Sequence, residues 1–231
     1  MATTAFCYSA KQELLQAIHN FNGVTTQTAS GVSGAFTLTG MASTANISVG
    51  QGAAATNVAT GAVVASIDSI SQVTLSKAHT GTITTATITF TADAFFIALV
   101  KSGPAHTFDG TQTNIGTPGT SAASTSNLGT DEVTGTGYTS GGQALTNVTP
   151  SLSSTTGITT FGANPSWTGA TFSTTAGIIY NNTVRGGAAA TPMNGRTLGV
   201  FDFGGTQTIA AGTFTLILPT ANSSNAILRI A

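Results

Sequence analysis

Period-two alternation runs through most of this chain and limits its fold more than any other feature. In AFTLTG, Phe36 and Leu38 fall on one face and Thr37 and Thr39 on the other. QVTLSK repeats the pattern, with Val73 and Leu75 against Thr74 and Ser76. ATITFT sets Ile88 and Phe90 against Thr87, Thr89 and Thr91, and TFTLILP aligns Phe214, Leu216 and Leu218. Successive side chains of a strand point to opposite faces, so each stretch predicts a half-buried strand with a hydroxyl-rich outer face. Many short strands, frequent glycine turns and little helix predict a mainly β protein with an antiparallel sandwich or barrel-like base.

One helix is expected, at the N-terminus. Ser9-Ala10-Lys11-Gln12 reads as a capping box, and Ala10, Leu14, Ala17, Ile18 and Phe21 then recur at helical spacing before Asn22-Gly23. Residues 23–92 have a texture of their own: FTLTG, NISVG, GAVVASID, QVTLS and TATITFT, with almost no aromatics beyond Phe36 and Phe90. They read as a small all-β module inserted into a discontinuous base domain made of residues 1–22 and 93–231. The base resumes with DAFFIALVKSG, whose unbroken apolar run from Ala94 to Val100 reads as a fully buried strand. Residues 104–130, rich in Ser, Thr, Gly and Pro, read as a long surface loop.

Charge is scarce. Six Lys and Arg and seven Asp and Glu make up 6% of the 231 residues, where an ordinary soluble domain carries about a quarter. The basic residues Lys11, Lys77, Lys101, Arg185, Arg196 and Arg229 are scattered singly, which argues against nucleic acid as a partner. Mean hydropathy is +0.26, yet the Ala94–Val100 run is far short of the ~20 apolar residues of a spanning helix, so no membrane partner is expected. No secretory signal is visible, and the single Cys7 excludes an internal disulfide framework or a cysteine-based zinc site. A coat of Thr and Ser in place of Lys and Glu fits a chain packed within an assembly.

The stretch DEVTGTGYTSGGQALTNVTP, residues 131–150, is the nearest approach to a nucleotide motif. No lysine follows its glycines, which rules out a Walker loop, and the third glycine of a dinucleotide fingerprint comes one place late, at Gly141. A phosphate loop also needs a helix N-terminus behind it, whereas Gln143–Pro150 alternates as a strand. The glycines therefore read as a bend into a strand, with Tyr138 an anchor over the sheet. Asp131-Glu132 reads as a solvated turn. His19 reads as a polar flank of the helix, and His79 and His106 as loop residues without a carboxylate at ligand spacing. No G-x-S-x-G elbow occurs. No catalytic residue, metal ligand or cofactor-binding residue is assigned, and the chain is expected not to be an enzyme and to need no cofactor.

Several blocks occur together in order: Lys11-Gln12-Glu13-Leu14-Leu15, His19-Asn20-Phe21, Asp93–Leu99, Val133–Gly142, Trp167–Phe172, Ile178–Thr183 and Leu198–Gly204. This succession resembles small virion proteins of tailed bacteriophages, over residues 1–22 and 93 to about 218. Asn20 stands where that pattern has Asp, and residues 23–92 interrupt it; this inserted unit is similar to small β modules appended to phage fibres and surface proteins. The resemblance implies a non-enzymatic structural protein at the capsid surface. Its role would be that of a cement or decoration protein, with the major capsid protein and further copies of itself as partners. The expected contact residues are Phe108, Ile115 and Leu128 in the long loop and Ile227, Leu228, Arg229 and Ile230 in the C-terminal segment. Two alternatives stand beside it: a tail or head-fibre component recognising host glycans, and a secreted β-rich adhesin or carbohydrate-active protein.

Overall fold

The computed structural model describes residues 1–16, 19–183 and 195–231. Its elements in chain order are β1 (Ala5–Phe6), α1 (Tyr8–Leu15), β2 (Thr25–Gly31), β3 (Thr37–Leu38), β4 (Gly52–Ala54), β5 (Val64–Ser69), β6 (Gln72–Leu75) and β7 (Ile83–Thr91). There follow β8 (Phe95–Lys101), a 3-10 turn (Gly129–Asp131), β9 (Gln143–Leu145), β10 (Ser151–Ser153), β11 (Thr156–Thr159), β12 (Ser166–Asn181), β13 (Arg196–Thr215) and β14 (Leu228–Ile230). The fold is mainly β with one α-helix among the described residues, and every strand ladder is antiparallel. The described residues divide into two compact units, one holding 1–16, 19, 94–183 and 195–231 and the other holding 20–93.

The unit of residues 20–93 is a small sandwich. Its two three-stranded sheets run β2-β7-β4 and β3-β6-β5. Alternation is what builds it: Leu38, Val73, Leu75, Ile88 and Phe90 are all at most 1% exposed and join one core with Met41, Ile47 and Val64, while the intervening threonines face outward. Phe36 departs from the pattern at 48% exposure, because the strand covers only Thr37–Leu38. Residues 46–50, read as a strand, are turns instead, with Ile47 alone reaching the core. The chain enters and leaves this unit at one point. The Asn20 N–H donates to Asp93 Oδ2 at 2.9 Å, and the Asp93 N–H donates to the Asn20 carbonyl at 3.0 Å.

The larger unit is organised by a five-stranded sheet, β1-β13-β12-β8-β9, beside a three-stranded sheet, β10-β11-β14. Strand β8 is apolar at every residue from Phe95 to Val100 because it lies inside the sheet with both faces covered. It pairs with β12 only from Thr174 to Asn181, whereas β12 and β13 stay paired back to Ser166 and Thr215. A two-stranded ribbon thus continues past the end of β8. One of its faces carries Trp167, Phe172 and Phe214, whose rings pack on each other and on Tyr138 at centroid distances of 5.7–6.5 Å. The other face is a ladder of hydroxyls: Ser166 faces Thr215 at 3.0 Å and Ser173 faces Thr208 at 2.9 Å.

The helix is shorter than its apolar spacing predicts, and its cap is different. It ends at Leu15; Ala17 and Ile18 lie outside the described residues, and Phe21 belongs to the smaller unit. Cys7 is the N-cap, no side chain caps the helix, and the Ser9 hydroxyl is buried inside its first turn. The buried face consists of Ala10 and Glu13 while Leu15 is 91% exposed, so a carboxylate docks this helix where an apolar stripe was expected.

The segment 104–130 is not a surface-lying loop. Phe108, Gln112, Ile115 and Leu128 are at most 1% exposed, and backbone bonds such as Ile115 N–H to the Gly195 carbonyl (2.6 Å) and Gly129 N–H to the Ile115 carbonyl (3.1 Å) fold it inward. Its Ser- and Thr-rich composition hid an apolar residue every seven to thirteen positions, enough to pin a long segment.

Candidate functional site

The stretch 131–145 is held by close backbone approaches and buried side chains, and β8 explains why. The open edge of β8 is covered at one end by β9 and at the other by Val133, whose N–H donates to the Leu99 carbonyl at 2.9 Å. Between these the glycine loop swings out to β12, where the Thr171 N–H donates to the Thr136 carbonyl at 3.0 Å. It takes the place beside β12 that β8 vacates. Close approach demands the glycines: a Cβ on Gly135 would stand 2.4 Å from the Thr171 carbonyl oxygen, and one on Gly142, at φ +75°, 1.8 Å from that of Ile97.

Two carboxylates at the root of this loop hold it. They do not form the solvated turn that adjacent acidic residues predict, since Asp131 and Glu132 are each 1% exposed. Asp131 receives Lys101 Nζ (2.9 Å) and the Ala105 N–H (3.1 Å) on Oδ1, and the His106 N–H and Nδ1 (both 3.1 Å) on Oδ2. Burial raises its pKa, but these donors outweigh burial and the net shift is downward. Glu132 accepts the Tyr138 hydroxyl (2.7 Å) and Gly141 N–H (2.6 Å) on Oε1 and the Ser140 hydroxyl (2.8 Å) on Oε2. Here burial wins and the carboxyl titrates above its ordinary range. Burial, together with the Glu132 charge, also drives Tyr138 and Tyr180 upward, so both phenols stay protonated and donate. Tyr180 closes the loop from the other side, donating to the Gly141 carbonyl at 2.7 Å. A general base needs a lone pair aimed at a substrate; the oxygens of Asp131 and Glu132 are aimed at their own backbone and neighbours. The pair positions a loop.

A second buried polar cluster ties the helix to the sheet. Glu13 accepts Arg196 Nη1 on Oε1 and lies 2.8 Å from His19 Nε2 through Oε2, and His19 Nδ1 lies 3.1 Å from Asn181 Nδ2. His19 is 7% exposed, not a polar flank, because this carboxylate draws it inward. Burial opposes ionisation of Glu13, yet His19 and Arg196 together hold its pKa below the usual value. Nearby Cys7 is 0% exposed, and burial pushes its thiol up to about 11, which keeps it protonated and unreactive. His79 does sit in a loop but is buried, with Nε2 2.9 Å from the Thr37 carbonyl. Among the described residues no group of three or more His, Cys, Asp or Glu side chains could hold a metal ion.

The expected contact residues separate into two sets. Phe108, Ile115 and Leu128 are core residues at 0–1% exposure, so their side chains cannot reach a partner while this fold is intact. Ile227 and Leu228 are half-buried, and Ile227 lines an apolar cleft of about 200 Å³ with Ile97, Ile179, Phe203 and Leu216. Arg229 and Ile230 are exposed on β14, Ile230 at 65%. Leu152, at 77% exposure on β10, shares the Ile230 face, since both are paired with Gly157.

Sequence reasoning missed both polar clusters. The Glu132 latch had a readable local signal, because Tyr138, Ser140 and Gly141 all follow within nine residues. The Glu13 cluster offered only His19 nearby, six residues on, while its partners Asn181 and Arg196 lie far along the chain, Arg196 183 residues away. No protein-family model matches the chain, and no curated protein or solved structure matches it either.

Proposed function

We propose that this chain is a non-enzymatic structural protein of a phage virion, a cement or decoration protein that binds the outer shell and bridges neighbouring major capsid subunits. The observation that carries the reading is how little charge reaches the surface. Of seven carboxylates, Glu13, Asp93, Asp131 and Glu132 are buried, leaving Asp68, Asp109 and Asp202 outside. A free monomer is kept apart from its neighbours by surface charge. A coat of Thr and Ser, with Leu152, Ile217 and Ile230 exposed among them, suits burial against other subunits instead. Such contacts stabilise a shell by mass action, because binding the assembled state adds free energy that disassembly must overcome. Copies of the chain would also meet one another on the shell.

Cryo-electron microscopy of purified particles tests this directly, with mass spectrometry counting copies against the major capsid protein. Density that follows capsid symmetry, and loss of heat or osmotic resistance when the protein is stripped, is the expected result. Density confined to a tail or a single fibre would replace the proposal with a host-recognition role.

A further inference from the structure

The smaller unit carries a cleft of about 300 Å³ between β2, β3 and β7, and its lining is chemically uniform. Ser30, Thr37, Thr39, Thr82 and Thr84 contribute five hydroxyl-bearing residues, the exposed Val32 supplies apolar surface while Ile83 turns its side chain into the core behind, and no ionisable residue lines it. Two features show how the chain shapes this space. The β2–β7 ladder slips between Ala29/Gly31 and Ala86/Ile83, so Thr84 and Thr85 stand opposite the single residue Ser30. At this bulge Thr85 takes φ +46°, a left-handed conformation that a β-branched residue adopts only under constraint. Its N–H is held by the Ser30 Oγ at 3.0 Å. Strained backbone of this kind persists where surrounding structure enforces it, and it gathers at binding sites. Gly31 forms part of the wall because a Cβ there would stand 2.6 Å from Nε2 of the buried His79, whose bond to the Thr37 carbonyl fixes β3 beside it.

We propose that this cleft binds a neutral polyhydroxylated ligand, a single uncharged sugar unit of a larger glycan. The volume lies at the lower end of small-molecule sites. A hydroxyl can both donate and accept. Ser30 Oγ already accepts the Thr85 N–H and Thr39 Oγ1 already donates to the Ser30 carbonyl, which leaves Ser30 a proton to donate and Thr39 a lone pair to accept with. With Thr37, Thr82 and Thr84 they match the mixed donors and acceptors of a sugar, and Val32 suits its C–H faces. A charged ligand would find no counter-charge in the lining. This inference does not depend on the shell-binding role, since it concerns a separate surface.

The test is binding of the full chain to a panel of neutral monosaccharides and their disaccharides, followed by calorimetry and backbone NMR, with sialic acid as a charged control. The expected result is a dissociation constant of about 10 mM or tighter for at least one neutral sugar. Shifts should be confined to residues 30–32, 37–39 and 82–84, and sialic acid should give none. Thr37→Val and Thr84→Val, which remove a hydroxyl at nearly constant shape, should each weaken binding by about three- to ten-fold. Should a variant misfold, the shift map of the unaltered chain decides alone. No neutral sugar binding in that range, shifts centred elsewhere, equal binding of sialic acid, or unchanged affinity in both folded variants would each overturn the proposal.

Discussion

The Tyr138 hydroxyl donates to Glu132 Oε1 at 2.7 Å and accepts the Leu99 N–H at 2.9 Å. One side chain therefore completes the edge of β8 between β9 and Val133 and satisfies a buried carboxylate. These bonds pin a loop with four glycines, each with φ between +75° and +154°, against β8. Ring packing on Trp167 and Phe172 fixes the phenol, the phenol fixes Glu132, and Glu132 holds Ser140 and Gly141.

Removing that hydroxyl should be costly. Tyr138→Phe leaves Glu132 with one donor fewer and the Leu99 N–H without its acceptor, a loss of about 2–4 kcal/mol for groups this buried. Tyr180→Phe, which breaks only the bond to the Gly141 carbonyl, should cost about 1 kcal/mol. Urea unfolding of the two variants compares them, and equal midpoints would refute the assigned role of Tyr138.

The glycines allow a matched comparison. Gly142 and Gly204 have nearly the same backbone, φ +75° and +74°, but a Cβ at Gly142 meets the Ile97 carbonyl whereas one at Gly204 meets nothing within 4 Å. Gly204→Ala should cost only the left-handed penalty, about 1–2 kcal/mol. Gly142→Ala must also part the loop from β8 and should lose at least twice as much by thermal or urea unfolding.

Much of this architecture was legible in the alternation, and the reason is local. Val73, Leu75, Ile88 and Phe90 are buried because every second residue of a paired strand must face the core, whatever else the chain does. The unbroken run of β8 was likewise readable as a fully covered strand. What the sequence concealed depends on distant partners. Asp131 is drawn inside by Lys101, Ala105 and His106, 25 to 30 residues upstream, and Glu13 by Arg196 across the whole unit. Phe108, Ile115 and Leu128 looked available because their neighbours are polar, yet all three are buried, and Phe108 is held by Met1 and Thr3 and Ile115 by Gly195, all far from them in sequence.

Acid titration should separate the two carboxylates. The folded pKa of Glu132 is raised, so its contribution is fully present below the unfolded value of about 4.5 and is lost as pH rises through the folded value. Glu132→Gln removes that loss, so its stability relative to the unaltered chain should increase from pH 4 to pH 8. Asp131 has a lowered pKa and behaves oppositely, stabilising above about 3.8 and losing that contribution as pH falls through its folded value. Asp131→Asn should therefore be most damaging at neutral pH. Denaturant curves at several pH values read both signs.

The reciprocal bonds between Asn20 and Asp93 place the two ends of the smaller unit side by side, and its core draws only on residues 29–90. A fragment of residues 20–93 should accordingly fold alone with one cooperative thermal transition. A fragment without such a transition, showing no dispersed amide spectrum, would mean that its core is insufficient by itself.

Contact and core roles can be told apart by one set of substitutions. Phe108→Ala removes a fully buried ring and should cost about 3–5 kcal/mol of stability. Leu152→Lys and Ile230→Lys alter exposed positions on one face of the β10-β11-β14 sheet and should leave the unfolding midpoint nearly unchanged. If that face meets a capsid subunit, the two lysines should lower the number of copies bound per particle, as counted by mass spectrometry. Full occupancy by the double lysine variant, with its folding intact, would remove this sheet from the interface and leave the hydroxyl ladder of β12 and β13 as the surface to vary next.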